Sequence, residues 1–211
     1  MSDKLFITAT DTNVGKTYTA LKLLKKFKQQ GLQTLGIKPI ASGCLQEKKQ
    51  WINQDAILLR GASTIQLDYS LHNPFAFKEY IAPHIAASYS GIYLTIKNII
   101  EKMQPALNFP ADICLIEGVG GWHCPLNNTD TMAEVVKQLK LKTILVVGMR
   151  LGCLNQAILT YKALQQDGIS IVGWIANCCD QTMQALDENV ATLKNFLPIP
   201  LLEIIPYCAQ L

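Results

Sequence analysis

A chain of 211 residues is long enough to bury a full core and short enough to form one domain, taken here as residues 1–211. With 49% hydrophobic and 17% charged residues it is excluded from the disordered class, and a net charge of +3 is too small to mark a nucleic-acid binder. Seven cysteines, at positions 44, 114, 124, 153, 178, 179 and 208, contain no C-x-x-C pair, and an odd count without a secretory signal reads as reduced thiols in a cytoplasm.

In chain order, residues 4–9 read as an apolar strand. Residues 17–30 follow as a helix, with apolar positions at 20, 21, 23, 24 and 27 and a stop at Gly31. A second strand spans 33–38 and ends at Pro39, and a short helix covers 53–60. Residues 62–82 read as irregular, with Asn73-Pro74 as a turn. Pro83 suits the first turn of a helix, and another helix covers about 93–104. Strands at 112–116, 143–147, 169–176 and 201–205 alternate with helices at 131–140, 155–166 and about 181–196. Strands apolar on both faces, alternating with helices, imply an α/β fold: one parallel sheet flanked by helices on both sides. No apolar run reaches the roughly 18 residues needed to cross a bilayer, so no membrane partner is expected. The basic run from Lys22 to Lys28 is read as a solvated helix face.

In such sheets ligands bind beyond the carboxyl ends of the strands. The first strand end carries TATDTNVGKT, in which Gly15-Lys16-Thr17 forms the back half of a phosphate loop. The front half departs from G-x-x-x-x-G-K-[ST], because Thr10 stands where glycine is usual. Thr10 fits if its φ stays negative. Amides at the start of a helix attract anions, Lys16 would reach the outer phosphates, and the Thr17 hydroxyl would hold Mg²⁺. The second strand end gives IKPIASG, where Pro39 keeps Lys38 extended so that its amine can point beyond the sheet edge, although taken alone the segment reads as carrying a surface lysine. The strand over 112–116 ends in LIEGVGGW. Glu117 caps a buried run, where a carboxylate is costly unless paired or metal-bound, and it suits a second Mg²⁺ anchor. The glycines after it, with Gly118, Val119 and Gly120, allow close approach of the backbone to a ligand. Asp55 is read either as a metal ligand or as an ordinary first-turn acid. His72, His84 and His123 share no metal-like spacing and are read as structural; Cys178-Cys179 is read as small residues at a strand end.

Several segments together resemble the dethiobiotin synthetase family of the P-loop NTPase superfamily. They are TATDTNVGKT, IKPIASG, NQDA, NPF, APH, LIEGVGGWHCPL, ILVVGMRLGCLNQAILT, GWIAN and EIIPY, in order from about residue 4 to 207. The resemblance implies an ATP- and Mg²⁺-dependent ligase of biotin biosynthesis. One amine of 7,8-diaminononanoate takes up CO₂ as a carbamate, and the carbamate oxygen attacks the γ-phosphate to give a carbamic-phosphoric anhydride. The second amine then closes the ring, yielding dethiobiotin, ADP and phosphate. By the same resemblance, Lys16 and Lys38 are the catalytic lysines, and Thr17, Asp55 and Glu117 are the metal ligands. Asn13, Val14, Gly15, Lys16, Thr17 and Tyr18 wrap the phosphates, while Asn177, Cys178, Pro206, Tyr207 and Cys208 flank the adenine. Thr12 and Ser42 contact the diamine. Gly152, Cys153, Leu154 and Asn155 hold the substrate carboxylate from the partner of a homodimer.

The chain departs from the family pattern at Ala9, commonly glycine, at Asn13, often glutamate, and at Cys178, often aspartate. The departure at Asn13 is expected to alter the hold on the substrate ammonium or on the metal shell. The short stretch after the adenine segment, ending at Leu211, leaves looser base selection as an expectation. Two rivals share the phosphate loop. ParA/MinD-type switch ATPases carry an extra lysine where this chain has Asp11, and cobyrinic acid amide synthetases need a glutaminase domain. A degenerate nucleotide binder is disfavoured by the joint presence of Lys16, Thr17, Lys38, Asp55 and Glu117.

Overall fold

A computed structural model describes residues 3–207. Its first half contains β1 (Asp3–Ala9), α1 (Lys16–Gln29), β2 (Thr34–Ile37), β3 (Ile40–Ala41), β4 (Leu45–Glu47), β5 (Gln50–Ile52), α2 (Gln54–Ala62), α3 (Tyr69–His72), β6 (Phe75–Ala76), α4 (Pro83–Tyr89) and α5 (Ile96–Leu107). The second half contains β7 (Ile113–Glu117), α6 (Met132–Gln138), β8 (Lys142–Met149), α7 (Cys153–Gln166), β9 (Ile171–Cys178), α8 (Leu186–Phe196) and β10 (Leu201–Ile205).

Six strands form one parallel sheet in the order β10-β9-β8-β1-β7-β2. Successive residues of each strand serve opposite faces. Leu5, Ile7 and Ala9 of β1 join Leu115, Val146, Ile175 and the α1 residues Ala20, Leu23 and Leu24 in one core. Phe6, Cys114, Leu145, Val147 and Trp174 point into the other core, with Ile99 and Met103 of α5, Val136 of α6 and Leu164 of α7. Both faces are thereby removed from water, which is why the central strands read as unbroken apolar runs.

Local chemistry sets several element ends. Asn53 caps α2 by accepting from the Ala56 amide at 3.2 Å, and Thr95 with Asn98 closes a capping box at the start of α5. Thr131 with Glu134 does the same for α6. The irregular reading of 62–82 is corrected by one turn of helix, α3, and by the two-residue strand β6, which pairs with β3. Neither is long enough to show a period in the sequence; β6 exists because Ile40 and Phe75 meet across the tertiary fold. The helix expected from about 93 starts later, at the Thr95 cap, and runs past Pro105 to Leu107. The strand expected at 169–176 is shifted two residues onward, so Asn177 and Cys178 are strand residues paired with β8.

Candidate active site

The loop between β1 and α1 reaches its shape through Asn13 and Gly15, both at positive φ, 58° and 86°. Asparagine tolerates this region better than most side chains. Thr10 is not among the positive-φ residues, so the loop does not need glycine there. Gly15 is needed on two counts: a Cβ would be strained at φ 86° and would stand 2.1 Å from the Asn177 amide nitrogen. That amide, buried, donates to the Val14 carbonyl at 2.9 Å and so braces the loop from β9. No side chain caps the N terminus of α1 and no acid lies in its first turn, which leaves the helix start electropositive. Lys16 bridges the loop mouth, donating to the Asp11 carbonyl at 2.9 Å and the Gly120 carbonyl at 2.6 Å. Burial draws its pKa down to about 8; Glu117 opposes that pull and Lys38 adds to it.

Strand order brings the remaining groups to the same edge. β7 lies between β1 and β2, and Ile37 is in register with Ile116. The next residues along, Lys38 and Glu117, meet at the strand ends. The Lys38 ammonium sits 2.5 Å from Glu117 Oε1 and 2.9 Å from Asp55 Oδ2. The Thr17 hydroxyl donates to the same Glu117 oxygen at 2.9 Å. Burial disfavours the charge on Lys38, but Glu117 and then Asp55 outweigh it and hold the pKa above its ordinary value. Lys38 is therefore a fixed ammonium and not a surface lysine. Its backbone is also clamped: its amide donates to the His72 carbonyl at 2.7 Å, and the Asn73 side chain donates to its carbonyl at 2.7 Å. His72 is structural, fully buried between the Gly36 carbonyl and the Leu67 amide. Asp55 lies in the first turn of α2, as its first-turn reading has it, and also pairs with Lys38.

These groups line a cavity of about 380 Å³ whose walls include Thr12, Asn13, Gly15, Lys16, Thr17, Tyr18, Lys38, Ser42, Asp55, Glu117, Gly118, Val119 and Gly120. Sequence reasoning missed two further members, Asn53 and Tyr80. The acid-containing stretch NQDA offered a helix-cap signal for Asn53; nothing local marks Tyr80. A second cavity, about 670 Å³, shares Thr12, Asn13, Ser42, Tyr80, Val119 and Gly120 with the first and continues over Ile81, Pro83, Cys124 and Pro125. A groove of about 700 Å³ between α1 and β10 holds none of the lysine–acid cluster, so volume alone does not mark the site.

The donor set fits magnesium. The Thr17 hydroxyl and the Asp55 and Glu117 carboxylates are hard oxygens, and the buried Glu117 Oε2 has no hydrogen-bond partner among the described residues. No group of three or more His, Cys, Asp or Glu gathers anywhere among them, and this site itself offers two carboxylates and a hydroxyl. The other expected site residues lie outside both cavities. Gly152, Cys153, Leu154 and Asn155 open α7, with Gly152 at φ 93°. Cys178 ends β9, and Pro206 and Tyr207 follow β10. Cys208 lies outside the described residues. The structure also ties the two regions in a way the sequence did not announce. The Asp11 carboxylate accepts from Arg150 at 2.5 Å and from Gln156 at 3.3 Å, joining the phosphate loop to the start of α7. No helix among the described residues is long and apolar enough to cross a membrane.

Comparison with known proteins places this site in context. The family described as AAA domain matches residues 3–211. The ATP-dependent dethiobiotin synthetase BioD of Pseudoalteromonas translucida is 44% identical over 98% of this chain and 91% of its own length. The protein of the same name from Alteromonas mediterranea is 45% identical over 96% and 91%, and that from Pseudomonas aeruginosa 42% over 95% and 88%. Among solved structures, the cell division ATPase MinD of Pyrococcus furiosus superposes with a TM-score of 0.60 at 15% identity, covering 98% of this chain and 84% of that one. The signal recognition particle receptor FtsY of Elizabethkingia anophelis gives 0.59 at 15%, covering 100% and 61%. At such identities these two likenesses speak for the fold alone.

Proposed function

The chain belongs to the ATP-dependent dethiobiotin synthetase family, and from that premise we propose that it carries out the carboxylation and ring closure of 7,8-diaminononanoate with CO₂, consuming ATP, as a step of biotin biosynthesis. The observation that carries the reading is the continuity of the two cavities: a polar one built on the phosphate loop and the lysine–acid cluster opens into an apolar one able to take an aliphatic chain. A triphosphate at one end and a nine-carbon diamino acid at the other match that division of chemistry.

In this reading the amides at the start of α1 and the Lys16 ammonium hold the phosphates, with Lys16 exchanging its present carbonyl partners for phosphate oxygens. Thr17, Asp55 and Glu117 would hold magnesium, which neutralises charge on the phosphates. Lys38 acts by charge. Held as an ammonium, it does not serve as a base; it stabilises the carbamate and then the phosphoryl group as the carbamate oxygen bonds to phosphorus and ADP departs. Attack of the second amine on the carbamate carbon then releases phosphate. Thr12 and Ser42, at the junction of the cavities, orient the diamine. Asn177, Pro206 and Tyr207 are assigned to the adenine side.

We read residues 3–207 as one domain, working in the cytoplasm, where the described cysteines remain free thiols. The assembly proposed is a homodimer in which the start of α7 from one subunit supplies the substrate carboxylate site of the other, using the attraction of a helix N terminus for an anion. The test is phosphate release from MgATP and bicarbonate, with and without 7,8-diaminononanoate, on wild type and Lys38→Ala. The expected result is release that needs the diamine, yields dethiobiotin by mass spectrometry and collapses in the variant. Release indifferent to the diamine overturns the reading.

A further inference from the structure

Tyr80 stands in the wall of both cavities, at the junction where the polar one meets the apolar one. The residue is 74% exposed, so the fold leaves most of its side chain uncovered. The backbone that carries it is nevertheless fixed. The segment before it is laced to the β3–β4 connection by hydrogen bonds from the Cys44 amide to the Phe77 carbonyl and from the Gly43 amide to the Glu79 carbonyl, both 2.9 Å. Directly after it, Pro83 opens α4. The ring lies on the bare Cα of Gly43: a Cβ built there would be 2.6 Å from Tyr80 Cδ2. Gly43 is itself at φ 72°. A glycine is thus required at this point, and the space it leaves is filled by an aromatic ring that shows its other side to the cleft.

A large aromatic side chain that is fixed at its base and lines both cavities offers an apolar face to whatever is bound between them. The apolar side of the junction carries Ile81 and Pro83, the polar side Lys38 and Asp55. A partner seated here has a polar head toward the lysine–acid cluster and a hydrocarbon body running past the ring. Resting on the diamine reading above, we infer that Tyr80 is a specificity-determining residue for the aliphatic chain of the substrate: its ring covers the methylenes next to the vicinal amines and makes binding depend on chain length. The hydroxyl is not needed for this, because the contact is with the face of the ring.

The test compares wild type, Tyr80→Phe and Tyr80→Ala by steady-state kinetics and by calorimetric titration with 7,8-diaminononanoate and with analogues shortened at the carboxylate-bearing chain. In the wild type each methylene is expected to tighten binding by up to about fourfold. In Tyr80→Ala that dependence flattens, KM for the diamine rises about tenfold, and kcat and KM for ATP stay within about twofold, the loss corresponding to two or so uncovered methylenes. Tyr80→Phe retains wild-type behaviour. Because the side chain is exposed, the melting temperature of each variant is expected to match the wild type. An unchanged chain-length dependence in Tyr80→Ala overturns the inference. So does a rise in KM for ATP instead of the diamine, which would put the ring against the nucleotide. A wild type that neither binds nor converts the diamine removes the functional reading itself, an outcome seen without any variant.

Discussion

Two ion pairs flank the phosphate loop at the same separation. Lys38 to Glu117 and Arg150 to Asp11 are each 2.5 Å. Their surroundings differ: the side chains of the first pair are 7% and 1% exposed, those of the second 37% and 42%. Distance therefore says little about what either pair contributes. Water and salt screen the outer pair, which joins two loops whose side chains keep much of their freedom. The inner pair has given up its hydration and depends on its partners, so removing one member strands the other. The inner pair is also part of the proposed chemistry, whereas the outer one sets the position of α7 against the loop.

The sharpest way to break this contrast is Lys38→Met. Turnover is expected to fall by at least about a hundredfold, as when a transition-state charge partner is lost. Denaturant unfolding should show a loss of roughly 3–5 kcal/mol from the stranded Glu117 carboxylate. Adding Glu117→Gln should recover much of that stability and none of the turnover; a single variant as stable as wild type would refute the account of the inner pair.

Next in size is Asp167, an intermediate case with 16% exposure. It accepts from the buried Trp122 indole at 2.7 Å and from Lys137 at 3.2 Å, pinning the glycine-rich segment after Glu117. Asp167→Ala should cost about 1–3 kcal/mol at neutral pH by chemical denaturation. Burial opposes ionisation of this carboxyl, but the Trp122 and Lys137 contacts win and hold its pKa below the usual 3.8. A depressed pKa means the stabilisation is fully present above that ordinary value and fades as pH falls through the folded-state value. The stability gap between the two proteins is thus expected to narrow only in strong acid. A gap that closes near neutrality would refute the assignment of this stabilisation to the ionised Asp167 carboxylate.

Arg150→Met should cost about 1 kcal/mol or less, and added salt should shrink the difference further. A salt-independent effect would mean the outer pair behaves as a buried one. The smallest change is expected for Lys22→Met, which breaks the 2.6 Å pair with Glu203 at side-chain exposures of 36% and 33%. Thermal melting should place it within about 0.5 kcal/mol of wild type.

Much of the central sheet could be read along the chain because each buried strand is a continuous apolar run and each long helix has its own period. The same holds for Lys16, Thr17 and Glu117, which sit in the loop–helix junction and at the strand end where a parallel sheet binds its ligands. Asp55 and Lys38 were harder, since a first-turn acid and an extended lysine are ordinary on a surface; only their meeting marks them. The β3–β6 pair, one turn of helix at α3 and the Tyr80 wall left no local signal. Each exists through a partner distant in sequence.

The sequence alone determined the alternation of parallel strands and helices, the phosphate loop with its Gly15-Lys16-Thr17, and the candidate acids. These are properties of short windows, governed by burial period and backbone sterics. Only the tertiary structure decided that Lys38 and Glu117, 79 residues apart, form a buried ion pair, and that Asp11 and Arg150, 139 apart, bind the loop to α7. The reason is strand order: placing β7 between β1 and β2 aligns three carboxyl ends on one edge, and no local pattern encodes which strands become neighbours.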